Sequence, residues 1–513
     1  MLDGRSWITP IFRPASIWTT VFVAFTLGCN AATSPSGTGS PITESRQSQA
    51  LSPEAALRVE AFCAACHALP LAETFPKSRW EEEVEQGFGF YIASGRADLI
   101  EPTRSEAVRY FRDRAPERIE IPVWPSVPTD VLFEKSLPVS SVGKLAASVS
   151  DLRWNTDNQT LLVSDMRSGE VSHYSPADNW RRSVVGHVKN CCRVTPCDWN
   201  NDGNRDYLVA DIGSFAVADH ASGRIELWLG SADGSHKSIE LVRDLGRVVE
   251  AQLIDYDEDG DQDILVAEFG WRSSGALKLL RNPGGDESEK RMQVEQLDSR
   301  HGVLGVRVAD LDRDGNLDYV VAYGQEYETL EIHYHRSSGL YERTVVLTMP
   351  DPSYNSSSFE LADIDGDGRL DIVHTNGDTM DAFLPKPYHG VRWLQNLEDR
   401  KWRAHELGLL VGALDSCVAD FDGDGDMDIA AVGMLAHSDQ SAAETFDSIV
   451  WWEQDRDLVF KRHALEHYGP SHAVCTAGDV NGDGLPDLIV GQWSPNPDSA
   501  PLEIFMSRRS AGP

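Results

Sequence analysis

Short apolar runs of four to six residues recur along residues 122–508, and six of them follow directly on an acidic turn. Ile264-Leu-Val-Ala267 and Tyr319-Val-Val-Ala322 are typical. Runs this short, bounded by Gly, Asp and Asn, predict strands rather than helices. A strand A before each acidic turn and a strand B after it predict a tight hairpin. A strand C, usually aromatic, follows at 224–229, 277–281, 330–334, 391–394 and 449–452, and a strand D at 341–347, 401–407 and 460–465. The acidic turns begin at Asp198, Asp255, Asp310, Asp363, Asp420 and Asp479, so the unit repeats every 53 to 59 residues. Four antiparallel strands per repeat describe a propeller blade. A degenerate unit, Asp151 to Val163, precedes the six and lacks both the turn Gly and the closing Asp. The last repeat stops after strand C, Leu502 to Met506, while Phe133 to Leu137 reads as an orphan strand D. Pairing these two completes a seventh blade and removes an exposed sheet edge. The expected fold is therefore mainly β, a seven-bladed propeller over 122–508.

Residues 51–118 carry a different pattern. Ser52-Pro53-Glu54 is a helix start, with a capping Ser, a Pro at the first position and an acid in the first turn. That helix is expected from Ala55 to about Cys66. Ser78-x-x-Glu81 and Thr103-x-x-Glu106 predict two more helices through capping boxes, the last running from Ser105 to Arg114. A small all-α unit is expected here.

The chemistry of the repeats lies in their spacing. Each turn reads Asp-x-Asp/Asn-x-Asp-Gly-x-x-Asp, which sets short oxygen donors around one point. The predicted ligand sets are Asp198, Asn200, Asp202, Asn204 and Asp206; Asp255, Asp257, Asp259, Asp261 and Asp263; Asp310, Asp312, Asp314, Asn316 and Asp318; Asp363, Asp365, Asp367, Arg369 and Asp371; Asp420, Asp422, Asp424, Asp426 and Asp428; and Asp479, Asn481, Asp483, Leu485 and Asp487. The seventh-position residues offer only a backbone carbonyl. All-oxygen, carboxylate-rich donors suit calcium rather than zinc or copper, with up to six ions. An EF-hand is rejected because position twelve is not Glu and the flanks are strands. The formal charge of −35 includes 22 Asp at these loops, and six divalent ions would cancel 12 charges. The remainder is still acidic, which disfavours nucleic acid as a partner.

Cys63-Ala-Ala-Cys66-His67 has the spacing of a c-type haem attachment site, two thiols one turn apart and an imidazole next in line. Residues 51–129 contain no Met and no other His, so the second axial position is open, weakly filled by Tyr91 or Lys77, or supplied from the propeller. The Gln86–Tyr91 stretch is the place to look within the helices.

The N-terminus has Arg5 and Arg13 ahead of an apolar run from Ile17 to Leu27, then Gly28-Cys29. The run is too short to span a bilayer and reads as an export signal over 1–28, of lipoprotein type, with Cys29 as the lipidated residue. Residues 29–50 form a polar tether. An ordinary cleaved signal peptide is the alternative; either way the chain is expected outside the cytoplasm, periplasmic or at the cell surface. Cys191 and Cys192 could join each other, or either could join Cys197. Cys417 and Cys475, on equivalent strands of neighbouring repeats, could face each other; buried thiols are the alternative throughout.

The acidic hairpins resemble FG-GAP/VCBS repeats, the calcium-binding blades of integrin-type propellers. The three helices with their thiol motif resemble a small class I cytochrome c. Together, over roughly 51–508, they resemble exported FG-GAP/VCBS proteins with a fused cytochrome c, common in planctomycete-like bacteria. The resemblance implies covalent haem c and electron transfer to a redox partner protein or small molecule, near a membrane if the lipid anchor is present. A haem-linked oxidoreductase with a small-molecule or sugar site, and a glycan-binding adhesion propeller, are the competing readings. Loop residues that break the repeat are the weak catalytic candidates: His301, Asp378, Lys386, His389 and His472.

Overall fold

The computed structural model describes residues 51–138, 145–284, 292–380, 384–435, 446–467, 469 and 471–509. The expected signal and tether, with the lipidation candidate Cys29, fall outside the described residues. Residues 51 to 513 form one compact unit, so helices and propeller are not separate bodies on a linker.

Seven four-stranded antiparallel sheets make up the propeller. Strands A of blades one to seven are Val149–Asn155, Cys191–Cys197, Val248–Ile254, Val303–Ala309, Ser356–Ala362, Ala413–Ala419 and His472–Gly478. They neighbour one another around the axis, and the last lies beside the first. Strand Val131–Ser136 pairs antiparallel with Leu502–Arg509, from Val131 opposite Arg509 to Ser136 opposite Ile504. The N-terminal strand thus completes blade seven and closes the ring, as the orphan strand predicts.

Strands B are the apolar centre. In blades two to seven every residue of this strand is buried, because both faces of the sheet pack on a neighbouring blade. Val320 and Ile332 of blade four meet Phe359, Ile372 and Leu394 of blade five. Val373 and Trp393 of blade five meet Ile429 and Trp452 of blade six. Each such side chain contributes roughly 1.5–3 kcal/mol by leaving water. Every strand A also carries a register shift near its start, from Val149/Asp151 to His472/Val474. In three blades this bulge aims an acid at the next blade: Asp151 accepts from Val194 N, Glu250 from Val306 N and Asp415 from Cys475 N.

The helices are α1 (Pro53–Cys63), α2 (Trp80–Ala93) and α3 (Arg104–Arg112). Ser52 caps α1 and the Thr103/Glu106 capping box opens α3. Two expectations are corrected. Helix α1 ends at Cys63, not Cys66, because Arg96 takes Ala65 O and Cys66 Sγ and holds that chain off the helical path. Ser78 does not cap α2; the helix follows a Pro76–Arg79 turn, anchored by the Trp80 indole on Ala72 O and Phe75 O. The core is aromatic, with Trp80 stacked on Phe111 at 4.2 Å and Phe62 edge-on to Tyr91 at 4.9 Å.

This helical cap sits on the propeller at blades three to five. Leu71 N donates to Asp351 (3.0 Å), the Lys386 ammonium lies 4.2 Å above the Phe75 ring, and Arg272 lies 4.3 Å above Phe90. The following segment runs along blade six, where Val127 N donates to Arg462 O and His463 Nδ1 donates to Val127 O. Among the described residues no helix is long and apolar enough to cross a membrane.

Candidate metal centres and thiol motif

Each acidic hairpin is held by its own carboxylates. The first Asp accepts the N–H of positions five and six: Asp255 from Asp259 (3.1 Å) and Gly260 (3.2 Å), Asp310 from Asp314 (3.2 Å) and Gly315 (3.0 Å), with the same pair in the other four loops. The sixth-position Gly has positive φ in every loop, +90° at Gly260, a conformation other residues resist. These bonds draw three carboxylates within 4.8 Å of one another in four loops: Asp255, Asp257, Asp259; Asp310, Asp312, Asp318; Asp363, Asp365, Asp367; and Asp420, Asp422, Asp428. In the Asp198 and Asp479 loops the third donor is Asn200 or Asn481, which lowers the charge. Oxygen donors gathered at this spacing fit a hard cation. Without one they crowd: burial, with Asp424 and Asp420 beside it, pushes Asp422 up to about 6.

The ninth-position Asp has a further task. It is buried in all six loops and accepts two backbone N–H groups, one from the loop's second residue and one from the end of strand C or just beyond it. Asp371 takes Ile364 N (3.3 Å) and Asn396 N (2.7 Å); Asp428 takes Phe421 N (3.1 Å) and Gln454 N (2.7 Å). Asp206, Asp263, Asp318 and Asp487 repeat the pattern. This residue staples the hairpin to strand C whether or not it touches an ion. Arginines also approach the loops of blades three to five. Arg281 pairs with Asp257 (2.7 Å), Arg400 with Asp312 and Arg369 with Asp367. In blade six, among the described residues, no Lys or Arg pairs with Asp420, Asp422 or Asp424, and Arg509 reaches only the carbonyls of Asp422 and Gly423.

In the helical cap Cys63 and Cys66 are unpaired thiols, the first half-buried at the end of α1 and the second exposed. Burial pushes the Cys63 thiol up to about 11. His67 Nδ1 lies 2.7 Å from Ala68 O, which can only accept, so Nδ1 donates there and Nε2 is the nitrogen left for a ligand. A metal-ligating imidazole is commonly oriented in this way, its other ring nitrogen held on a backbone carbonyl. Of the second-ligand candidates, Tyr91 is buried in the helical core against Phe62, and Lys77 is ion-paired with Glu117 at 2.7 Å.

The five catalytic candidates are not gathered into one site. Asp378, Lys386 and His389 belong to the segment after strand B of blade five. There Asp378 accepts from Met380 N, the buried Lys386 donates to Ser353 O under the helical cap, and His389 accepts from Gly412 N. Burial holds His389 down at about 3, a neutral imidazole. His301 lies between blades three and four, paired with Glu326 at 2.8 Å. His472 is buried at the start of blade seven, bonded to Glu466 and Gln492. The central channel, about 840 Å³, is lined by none of the five; Arg153, Arg193, Arg307, Glu360 and Asp415 line it instead, down to Asn155 and Asp198 at the acidic hairpins. Burial opposes the charge of Glu250 beside it, but Arg193 and Arg307 outweigh that and hold it at about 2.

Sequence reasoning missed Glu328. It is buried between blades four and five, accepts from Ser356 N and Oγ (2.9 and 2.7 Å), and is pushed by burial up to about 8. It stands in an ordinary polar stretch with no motif to mark it.

Models of the FG-GAP-like repeat match residues 255–321 and 310–374, and the FG-GAP repeat matches 472–492. They fall on the hairpins of blades three, four, five and seven. The chain carries FG-GAP repeats built into a seven-bladed β-propeller. No curated protein matches it.

Proposed function

We propose that this chain is an exported redox protein whose helical cap carries a covalent haem c and whose calcium-bound FG-GAP propeller presents that cap to its partner. The observation that carries the reading is the arrangement at the end of α1. Two free thiols stand either side of the helix terminus, and the next residue is a His whose Nδ1 is fixed on a backbone carbonyl. Cys63 and Cys66 would hold the porphyrin through thioethers and His67 Nε2 its iron. The haem would supply one-electron chemistry. The contacts of Asp351, Lys386 and Arg272 with the cap support a presenting role for the propeller. Lipidation at Cys29 would keep the protein at a membrane surface, within reach of a membrane-bound or soluble electron donor.

The test is the absorption spectrum of protein made in a host that attaches c-type haem. The reading expects a Soret band that survives acid–acetone extraction, shifts on reduction and is lost in Cys63→Ser/Cys66→Ser. A colourless wild-type protein, or colour removed by extraction, would overturn it. CO added to the reduced protein then separates an open iron from one with a second protein ligand.

A further inference from the structure

The junction of blades six and seven holds a pair of thiols that neither the metal loops nor the thiol motif of the cap accounts for. Cys417 lies on strand A of blade six and Cys475 on strand A of blade seven. Both are buried, at 7% and 6% exposure, in one apolar cluster with Phe421, Trp451, Val490 and Phe505. The Cys417 side chain lies close enough to Cys475 to raise its thiol pKa.

The geometry of the ring explains the meeting. Counted back from the acidic hairpin, Cys417 occupies the position that Thr195 has in blade two, and Cys475 the position that Ala251 has in blade three. At the blade two–three junction those positions touch, Thr195 Oγ1 donating to Ala251 O at 2.9 Å. The same junction between blades six and seven is pinned by Asp415 on Cys475 N at 3.1 Å. Equivalent positions on neighbouring strands A thus lie side by side, and at this junction both cysteines turn into the same inter-blade cluster. Both line the central channel, which gives small solutes a route to them.

We propose that Cys417 and Cys475 are a thiol–disulfide exchange site that staples blade six to blade seven. The substrate is a small disulfide entering by the channel. Cys417–SH and Cys475–SH with R–S–S–R give Cys417–S–S–Cys475 and two R–SH. The first attack releases one R–SH and leaves a mixed disulfide; the second cysteine displaces the other. Burial raises the Cys475 thiol well above its ordinary value, which makes the exchange slow and its product long-lived. The other candidate pairs do not compete. Cys191 and Cys192 are consecutive residues at the bulge of one strand, so a bond between them would join no two blades, and Cys197 lies about 16–20 Å farther along the same strand.

The link would matter because blade seven carries the seam of the ring. Blade seven is completed by Val131–Ser136 from the other end of the propeller, and Val131 packs in the same cluster as the two cysteines. A bond from blade six to strand A of blade seven holds the closing blade even when its outer strands fray.

The experiment treats the native, full-length chain with oxidised glutathione, blocks remaining thiols, digests without reductant and maps the peptides. The proposal expects the peptides of Cys417 and Cys475 joined, two hydrogens lighter than their sum. It also expects a thermal midpoint several degrees above that of the dithiothreitol-treated protein. Cys417→Ser and Cys475→Ser each should remove the joined species and the redox dependence of the midpoint. Recovery of both cysteines blocked separately, or joined to other cysteines, overturns the proposal on the wild-type map alone, whatever the variants do. A joined pair that leaves the midpoint unmoved would overturn its role as a staple.

Discussion

At the scale of single residues, the buried acids carry the sharpest consequences. Glu328 is pushed up to about 8 by burial, so at neutral pH the folded chain holds a proton that the unfolded chain has released. A raised carboxyl pKa contributes stability that is lost as pH rises from the unfolded value toward 8. Replacing Glu328 by Gln keeps the Ser356 bonds and removes the titration. The stability difference between Glu328→Gln and wild type should therefore grow in favour of the variant between pH 5 and 8.5, by roughly 4 kcal/mol. A difference that stays flat over that range in paired denaturation curves would show that Glu328 is ionised. The ninth-position Asp makes a second case. Asp428→Ala orphans the N–H groups of Phe421 and Gln454 and should cost about 2–4 kcal/mol even in chelator. Asp424→Ala should cost much less there, because among the described residues the Asp424 carboxylate accepts only the exposed N–H of Asp426. Equal losses in chelator would contradict the staple. None of this was legible from residue type. The spacing marked Asp428 as a ligand, but one of the two N–H groups it holds, that of Gln454, comes from strand C, 26 residues on. Glu328 and Lys386 owe their character to burial that only the assembled blades and cap create.

Among the elements, the hairpins read most clearly, because an Asp-Gly turn between two apolar runs specifies both the turn and the flanking strands. The aromatic strands C and the alternating strands D also fell where pattern put them. Helix ends did less well. The capping box at Thr103 and Glu106 is local chemistry and was found. Thr103→Ala should destabilise the cap by about 1 kcal/mol, read by the near-ultraviolet signal of stacked Trp80 and Phe111. No change there would mean α3 is held by packing alone. The early end of α1 depends on Arg96, 30 residues from Cys66, and the start of α2 on a tertiary bond from the Trp80 indole. Neither partner is visible to a local reading. The bulge near the start of every strand A was missed for the same reason, since nothing in the residue pattern announces it.

For the whole molecule, the closed ring follows from counting strands: six repeats, the last short of its strand D, one degenerate unit and an orphan strand leave one arrangement with no free edge. The placement of the cap on blades three to five was not deducible, because it rests on Lys386, Asp351 and Arg272 meeting Phe75, Leu71 and Phe90 across hundreds of residues. It also changes the picture of the rim, part of which is covered by the cap. The claim beneath the rest is that cations neutralise the acidic hairpins and so hold the blades as one cooperative unit. The direct measurement is calorimetric melting in calcium, in excess EDTA, and after calcium is restored. The account predicts a midpoint lowered sharply by chelation, on the order of 2–3 kcal/mol for each site held a hundredfold above its dissociation constant, and recovered on adding calcium back. A single melt that is the same in all three samples would contradict it.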